Sequence, residues 1–343
     1  MDERTKDILI AVIQSYISTP APVGSRYISK NYTFGLSSAT IRNAMADLEE
    51  MGYLSQPHTS SGRVPTDMGY ELYIEDILYD SISSDDRLLN MLYEVLDQNS
   101  DIDVNLNKVA QILSEYSQYL GIAQTTIWEE SIVSKMEMFS YIYNTDYNTD
   151  RNVVVTLATE DGAIRHKIVR VENILTQRDL SRISSFLNSE YCGFSLKTIR
   201  DRIYEDISKK RNLYDDLISN AAGLFEKVFS FTDNIHLVGL SRIINLPDFS
   251  DVKRIRRLSQ AIEDKQTIVK IIDKIMYNDG VHVYVGEKYL NTDKELSLVA
   301  SRFYDKGRPG GVLGLIGPKR MNYTAAISIV NTTARFISRY LEK

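Results

Sequence analysis

Residues 36–66 constrain the fold of this chain most, because a helical pattern runs directly into the signals of a tight hairpin. Ser37 is a good N-cap, and the apolar positions that follow recur at helical spacing. These positions are Ile41, Met45, Leu48 and Gly52. After them, residues 53–56 and 63–65 are predicted to form two short strands, with residues 57–62 as the tip. The segment therefore predicts a helix followed by a β-hairpin.

Two further helices are predicted before this one. The first runs from Asp7 to Thr19 and ends at Thr19-Pro20, and the second covers Ser25–Tyr32 with Ser25 as its cap. A short turn that contains Gly35 joins the second helix to the third. Two helices linked in this way and followed by a hairpin are typical of a winged helix-turn-helix, a DNA-binding fold.

The face of the third helix opposite its apolar stripe carries Arg42 and Asn43 between Ala39 and Ala46. Arg and Asn are suited to paired hydrogen bonds with guanine and adenine, and small flanking residues let a helix approach base edges. Arg63 is expected to reach a phosphate or the minor groove from the hairpin. The predicted DNA-binding residues are Ser25, Arg26, Ser37, Ser38, Ala39, Thr40, Arg42, Asn43, His58, Thr59 and Arg63.

Charge alone does not separate this interpretation from an ordinary helical domain. Residues 1–66 contain six Lys or Arg and six Asp or Glu, so the segment has no net positive charge. The distribution favours DNA binding, because Arg42 is the sole charged residue between Leu36 and Ala46. The net charge of −6 for the whole chain means that any affinity for DNA must be local.

Composition indicates a soluble cytoplasmic regulator. A length of 343 residues suggests two or three domains. The single cysteine, Cys192, excludes an intramolecular disulfide framework, and no run approaches the roughly 18 apolar residues of a membrane span. The chain start does not resemble a signal peptide, since Met1-Asp2-Glu3-Arg4 leads into an amphipathic helix. We expect no membrane association.

The rest of the chain is expected to form an α+β domain with one mixed or antiparallel sheet, interrupted by a helical insertion. The boundary after the DNA-binding part is placed between about residues 67 and 86. The predicted strands are 135–143, 152–158, 163–171, 281–286, 298–304 and 312–317. The predicted helices are 66–82, 88–96, 104–120, 176–187, 199–212, 217–231, 252–262 and 323–341.

The sequence offers no pattern for catalysis, a metal or a cofactor. The four histidines are His58, His166, His236 and His282, and their spacing matches no metal-ligand motif. The glycine-rich stretch 307–317 has neither a Walker A sequence nor GxGxxG. The basic run from Lys253 to Arg257 could bind nucleic acid, but a solvated helix face is preferred because acidic residues flank it.

Four runs of this sequence closely resemble the HrcA family of bacterial heat-inducible transcription repressors. They are residues Val23–Arg26, Leu36–Leu54, Gln56–Thr66 and Gly314–Tyr323. The family usually has Thr and an acidic residue where this chain has Lys319 and Asn322, and commonly has Asn where Lys288 or Tyr289 stands. The resemblance spans essentially the whole chain.

The resemblance implies a multidomain α+β protein with a winged helix-turn-helix at 1–75, a GAF-like domain formed by 86–194 and 276–343, and an inserted dimerising subdomain at 195–275. It also implies a homodimer that represses chaperone operons at the CIRCE inverted repeat, is released on heat stress, and folds with help from the GroEL chaperonin. The alternative is a winged-helix regulator that senses a small molecule through the GAF-like domain, although the sequence shows no ligand motif.

Overall fold

The computed structural model describes residues 1–58, 61–79, 85–97, 100, 102–125, 131–145, 148–160, 162, 164–171, 175–199, 202, 235–263, 271–272, 274–276, 278–286 and 295–342. The protein is a mixed α+β structure of two compact units. The first unit joins Met1–Thr125 to Asn234–Lys343, and the second unit is Thr126–Asp233.

Three helices and a small hairpin open the first unit, as predicted. They are α1 (Glu3–Ser18), α2 (Ser25–Asn31), α3 (Ser38–Glu50), β1 (Leu54–Ser55) and β2 (Val64–Pro65). The Asp2 side chain caps α1 by accepting a hydrogen bond from the Thr5 N–H at 2.8 Å. The buried stripe of α1 includes Ile8, Leu9, Val12 and Ile13, which are at most 1% exposed. Burial of this stripe holds the helix against the rest of the unit.

The end of α3 explains how the chain enters the hairpin. Gly52 has a φ of +84°, a left-handed conformation that glycine adopts without steric cost. Its N–H donates to the Glu49 carbonyl at 3.0 Å, and the Tyr53 N–H donates to the Leu48 carbonyl at 2.9 Å. These two bonds form a Schellman motif, which stops the helix and turns the chain into β1. β1 and β2 then pair antiparallel, so the predicted hairpin is confirmed.

The next three helices share a hydrophobic core with α1–α3. They are α4 (Asp67–Tyr79), α5 (Asp86–Val95) and α6 (Ile102–Ser117). Tyr70 of α4 and Leu88 of α5 are buried in the same continuous cluster as Ile41 of α3. The predicted boundary between residues 67 and 86 therefore does not separate two cores.

A five-stranded antiparallel sheet forms the centre of the first unit, in the order β7-β3-β10-β9-β8. Its strands are β3 (Leu120–Thr125), β7 (Ile235–Val238), β8 (Val281–Val285), β9 (Leu296–Asp305) and β10 (Arg308–Pro318). Strand β3 lies beside β10, with Ile122 opposite Gly314. The sheet thus brings together segments that are far apart in the sequence.

Both faces of this sheet are covered, because alternate side chains of each strand enter different cores. Val299 and Leu313 join the core formed with α6 and with α10 (Tyr323–Leu341). Leu298 and Val312 join a second core on the other face. That second core is completed by α8 (Leu240–Ile244), a 3₁₀ turn (Pro247–Phe249) and α9 (Val252–Glu263).

The second unit contains a separate three-stranded antiparallel sheet and one long helix. The strands are β4 (Val133–Thr145), β5 (Asn148–Thr159) and β6 (Ile164–Arg170), in that order, and the helix is α7 (Gln177–Tyr191). Thr176 and Asp179 form a capping box at the start of α7. Asn188 fixes the helix to the sheet, since its amide bonds the Met136 N–H at 2.7 Å and the Met136 carbonyl at 2.8 Å.

The side of this sheet away from α7 carries exposed apolar residues. Phe139 lies opposite Val154, and Val154 lies opposite Ile168, so the three form a row across the strands. Phe139 is 46% exposed, Ile168 57% and nearby Ile164 70%. We call Phe139, Val154, Ile164 and Ile168 the open sheet face.

Two predictions about domain organisation are wrong. The described strands do not form one sheet, because β4–β6 form a sheet of their own whereas β8–β10 belong to the sheet that also contains β3 and β7. The insertion is residues 126–233 and not 195–275, because β7, α8 and α9 complete the sheet and core of the first unit. The predicted helices 199–212 and 217–231 lie almost entirely outside the described residues, whereas the helix predicted at 252–262 is confirmed as α9.

Within the described part of the chain, no helix has the length and apolar character needed to cross a membrane.

Candidate nucleic-acid interface

The outward face of α3 is built as the sequence predicts. The Ser37 hydroxyl caps the helix by accepting a hydrogen bond from the Thr40 N–H at 3.1 Å, and the two hydroxyls lie 2.9 Å apart. Burial of Ile41, Met45 and Leu48 fixes the rotation of the helix about its axis. Arg42 and Asn43 are consequently exposed.

Small residues surround these two polar side chains. Ala39 is exposed, whereas Ser38 and Ala46 are half-buried, so no large side chain from these positions covers the helix backbone. The first turn of α3 contains no acidic residue. An unobstructed N-terminal turn of this kind can lie close to a polyanion, because its N–H groups and the helix dipole favour negative charge.

Helix α2 contributes Ser25 and Arg26 at its start. Ser25 is the first helical residue and not the cap, since Gly24 occupies the N-cap position without a side-chain hydrogen bond. Arg26 is exposed and Ser25 half-buried. The same helix also exposes Tyr27, at 47%, and Lys30, neither of which was selected from the sequence. Because Ile28 marks the buried side of α2, helical spacing leaves Tyr27 and Lys30 exposed, and this signal could have identified them.

The hairpin tip is held by Ser61. Its hydroxyl donates to the His58 carbonyl at 2.7 Å, and its N–H donates to the same carbonyl at 2.9 Å. The Gln56 side chain donates to the Ser61 carbonyl at 3.0 Å. His58 is exposed at this tip, whereas Thr59 lies outside the described residues.

Arg63 differs from the expectation, because its guanidinium is engaged within the protein. Its Nε lies 2.7 Å from Glu49 Oε2, and the side chains are 19% and 34% exposed. This ion pair ties the last turn of α3 to the hairpin. The backbone of Arg63 also exchanges two hydrogen bonds with Val23, at 2.8 and 2.9 Å, which brings the hairpin next to the segment that leads into α2.

A cavity of about 680 Å³ is bordered by the strands of the hairpin, within the first unit. Its walls are Tyr16, Pro20, Ser55, Val64, Pro65, Thr66, Asp67, Tyr70, Pro247, Asp248, Phe249, Arg254, Glu295, Lys319 and Arg320. The Tyr70 hydroxyl has no hydrogen-bond partner among the described residues. Burial raises the pKa of the phenols of Tyr70 and Tyr16, so both are neutral at physiological pH.

Ionic contacts join residues that line this cavity. Lys319 pairs with Asp67 at the start of α4. The Arg320 guanidinium donates to the Asp248 carboxylate at 2.8 Å and to the Ile17 carbonyl at 3.0 Å. The end of α1 is therefore connected to the loop before α9. No group of three or more His, Cys, Asp or Glu side chains in the described ranges is arranged to hold a metal ion.

Comparisons with known proteins identify the family. Residues 103–327 match the model of the HrcA protein C-terminal domain. The heat-inducible transcription repressor HrcA of Thermodesulfovibrio yellowstonii is 36% identical over 348 residues, which cover 99% of this chain and 98% of that protein. The HrcA repressor of Geobacter sulfurreducens is 35% identical over 350 residues, with 100% and 98% covered. The chain belongs to the HrcA family.

Its curated HrcA relatives are named as transcription repressors, which is a regulatory and not an enzymatic role. A crystal structure of a hypothetical protein has the same fold, with a TM-score of 0.62, 19% identity, and 99% of this chain and 98% of that chain covered.

The structure accounts for one departure from the usual HrcA pattern. Asn322 stands where the family usually has an acidic residue, and it caps α10 by accepting a hydrogen bond from the Ala325 N–H at 3.1 Å. Asn and Asp serve equally well at this position, since each offers one side-chain oxygen to the first turn. The pair between Lys319 and Asp67 shows how the other unusual residue is accommodated. Lys288 and Tyr289 lie outside the described residues.

Proposed function

We propose that residues 1–75 act as a winged helix-turn-helix that binds double-stranded DNA, with α3 in the major groove and the hairpin as the wing. The observation that carries this proposal is the combination on α3 of a capped, acid-free first turn with exposed Arg42 and Asn43. Membership of a family of transcription repressors supports it independently. Arg42 and Asn43 read bases, and Ser25, Arg26, Ser37, Ser38, Ala39, Thr40, His58, Thr59 and Arg63 remain the proposed surrounding contacts.

Repression further requires a dimer, because one recognition helix reads only a few base pairs. We assign dimerisation to the second unit. Its open sheet face exposes three large apolar side chains, Phe139, Ile164 and Ile168, and an apolar patch of this kind is typical of a protein interface. Two copies related by a twofold axis would match the two halves of an inverted repeat.

The operator proposed from the family resemblance is the CIRCE inverted repeat upstream of chaperone genes. In this scheme the cytoplasmic repressor reaches its active form with the help of the GroEL chaperonin. Heat ends repression of the operon because damaged proteins then occupy the chaperonin. A marginally stable repressor is then no longer returned to its active form.

A gel shift with the purified full chain tests the proposal. The expected result is tighter binding to a CIRCE duplex than to a scrambled duplex of equal length, and an increase in the active fraction when GroEL and ATP are added. Equal binding to both duplexes would contradict sequence-specific recognition.

The topology offers a direct test of the dimer. Gln124 at the end of β3 pairs with Ile235 at the start of β7 in adjacent antiparallel strands, so both ends of the insertion meet at neighbouring positions. Residues 126–233 can therefore be replaced by a short Gly-containing turn. The shortened chain should be a folded monomer by light scattering and should bind a half-site weakly. A dimer that persists would move the interface to the first unit.

The cavity favours a second candidate function, a repressor that responds to a small molecule. We assign the five-stranded sheet and its helices to the GAF-like domain, and the cavity lies between this part and the hairpin. Its volume of about 680 Å³ is within the range of small-molecule sites, and it contains a buried phenol without a partner among the described residues. Native mass spectrometry of the purified chain should then reveal a bound compound whose removal changes affinity for the operator. Identical operator affinity before and after extraction would reject this candidate.

A further inference from the structure

Helix α9 presents an exposed basic face that the proposed function does not use. Lys253, Arg256 and Arg257 are exposed, whereas Leu258 on the opposite side is fully buried in the core beneath the sheet. At helical spacing these three cations lie on one side of the helix, within about 6 Å along its axis.

The acidic residues before this face have other partners. Asp251 accepts a hydrogen bond from the Lys253 N–H at 3.0 Å, so its carboxylate caps the start of α9. The Asp248 carboxylate binds Arg320 at 2.8 Å. Glu263 lies at the far end of the helix, about 9 Å from Arg257 along the axis. Asp248 is thus paired with Arg320, whereas Asp251 keeps its negative charge as the cap, so the three cations of the exposed face leave a net positive charge at this end of α9.

A chain of hydrogen bonds fixes α9 to the N-terminal helices. Arg254 donates to the Asp248 carbonyl at 3.0 Å, and the Asp248 carboxylate accepts from Arg320. Arg320 in turn donates to the Ile17 carbonyl in the last turn of α1 at 3.0 Å. The basic helix thus begins beside the point where α1 ends.

The same cavity borders α9 and the hairpin. Arg254 lines it together with Pro20 and Val64. These two residues flank the backbone bridge between Val23 and Arg63, which connects the start of α2 to the hairpin. The first turn of α9 accordingly lies near the base of the hairpin, which the bridge between Val23 and Arg63 connects to the start of α2.

The net charge of the N-terminal segment is the reason to connect the basic face of α9 with DNA binding. Residues 1–66 carry no net charge, yet duplex DNA is bound through neutralisation of its phosphates. We propose that Lys253, Arg256 and Arg257 contact the phosphate backbone of the duplex held by the N-terminal segment, and that they supply the positive charge which that segment lacks. This inference rests on the proposed DNA-binding function.

The test is the salt dependence of DNA binding by the full chain. The triple variant Lys253→Gln, Arg256→Gln, Arg257→Gln should weaken binding to the CIRCE duplex and to a scrambled duplex by similar factors, on the order of tenfold or more at low salt. The slope of log Kobs against log salt should become less negative by about 0.9 for each phosphate that the variant no longer neutralises.

A matched control removes the same charge elsewhere. Arg308, Arg335 and Arg339 are exposed, and Arg308 lies at the opposite end of β10 from Lys319, about 30 Å away. Their triple change to Gln should leave the slope unchanged. The variant Arg256→Lys, Arg257→Lys keeps the charge and should also bind as the unmodified chain does.

The outcomes separate this inference from the proposed function. An unchanged slope in the α9 variant, or an equal change in the control, overturns the α9 contact while leaving the N-terminal segment as the DNA-binding site. A loss of affinity in the Lys variant as large as in the Gln variant also overturns it, because charge would then not be the cause. An unmodified chain that binds neither duplex overturns both, whereas equal binding to both duplexes with a reduced slope in the α9 variant supports the contact and contradicts the proposed operator.

Discussion

The two sheets of this protein differ in how completely they are covered. The five-stranded sheet of the first unit has helices on both faces, and Phe303 and Leu313 within it are fully buried. The three-stranded sheet of the second unit packs against α7 on one face, whereas its open sheet face leaves Ile164 70% exposed. One sheet has completed its core within the chain, and the other has apolar surface available for a partner.

In the proposed dimer, this difference separates the residues that stabilise the fold from those that hold two copies together. Apolar area buried within the unit stabilises the fold itself, at roughly 25 cal/mol for each Å². Apolar area left exposed contributes no such stability until a partner covers it. Substitutions in the two sheets should therefore have different consequences, and the contrast can be measured.

The largest effect is expected from a matched pair of phenylalanines. Phe303→Ala should lower the free energy of unfolding by about 3–5 kcal/mol, because it empties a site that is 0% exposed. Phe139→Ala, at a site 46% exposed, should cost less than about 1 kcal/mol in the monomer. Chemical denaturation at fixed low protein concentration measures both. Equal decreases in the free energy of unfolding would show that the two sheets do not differ in this way.

The next effect concerns assembly. Phe139→Asp combined with Ile168→Asp should dissociate the proposed dimer and weaken operator binding by about 100-fold or more, because the effective concentration of the second DNA-binding segment falls. The control is Tyr93→Asp combined with Val104→Asp, which places the same two charges at apolar residues of the first unit that are 62% and 49% exposed. Sedimentation should detect monomers only for the first variant. A dimer that survives it would remove the open sheet face from the interface.

A smaller effect for each half-site is expected on recognition by the first unit. Arg42→Ala should cost about 1–3 kcal/mol per half-site on the operator and much less on scrambled DNA, because the side chain that reads a base is removed. Arg26→Ala, which removes a phosphate contact in this proposal, should weaken binding to both duplexes alike. Fluorescence titrations with the two duplexes measure the difference. If Arg42→Ala has the same effect on both duplexes, Arg42 is a phosphate contact.

The smallest effect should come from Arg63. Because its guanidinium pairs with Glu49, the change Arg63→Gln should reduce the salt slope by clearly less than the value of about 0.9 expected for a full phosphate contact. The partly exposed ion pair should contribute at most about 1 kcal/mol to stability, discounted for solvent screening. A double-mutant cycle with Glu49→Gln measures this coupling. A reduction in slope by the full value would mean that Arg63 leaves Glu49 when DNA binds.

Local signals allowed the N-terminal segment to be predicted closely. The stripe of Ile41, Met45 and Leu48, the Ser37 cap and Gly52 all act within a few residues of one another. The exposed positions of Arg42 and Asn43 follow from the same stripe. The pairing of Arg63 with Glu49 could not be predicted, because it depends on how the hairpin folds back against α3.

Long-range pairing explains the errors in domain organisation. Strand β3 was missed because its short apolar run directly follows α6, and its partners β10 and β7 lie more than 100 residues later in the chain. Without β3 in place, nothing in the sequence assigns β7 to the first sheet. The insertion was therefore placed too late in the sequence, although its existence and the strands β4–β6 were predicted.

The unbroken core of the first unit has a consequence for control by temperature. Ile8 and Ile41 of the N-terminal helices belong to the same buried cluster as Ile327 and Phe336 of α10. Groups that share one tightly packed interior tend to melt together in a single cooperative transition. Warming that disrupts the body of the unit should therefore also disrupt the helices that hold Arg42. In the proposed repressor, each molecule that unfolds in this way loses its DNA-binding surface as well, so that only refolding with the help of the chaperonin returns it to the operator.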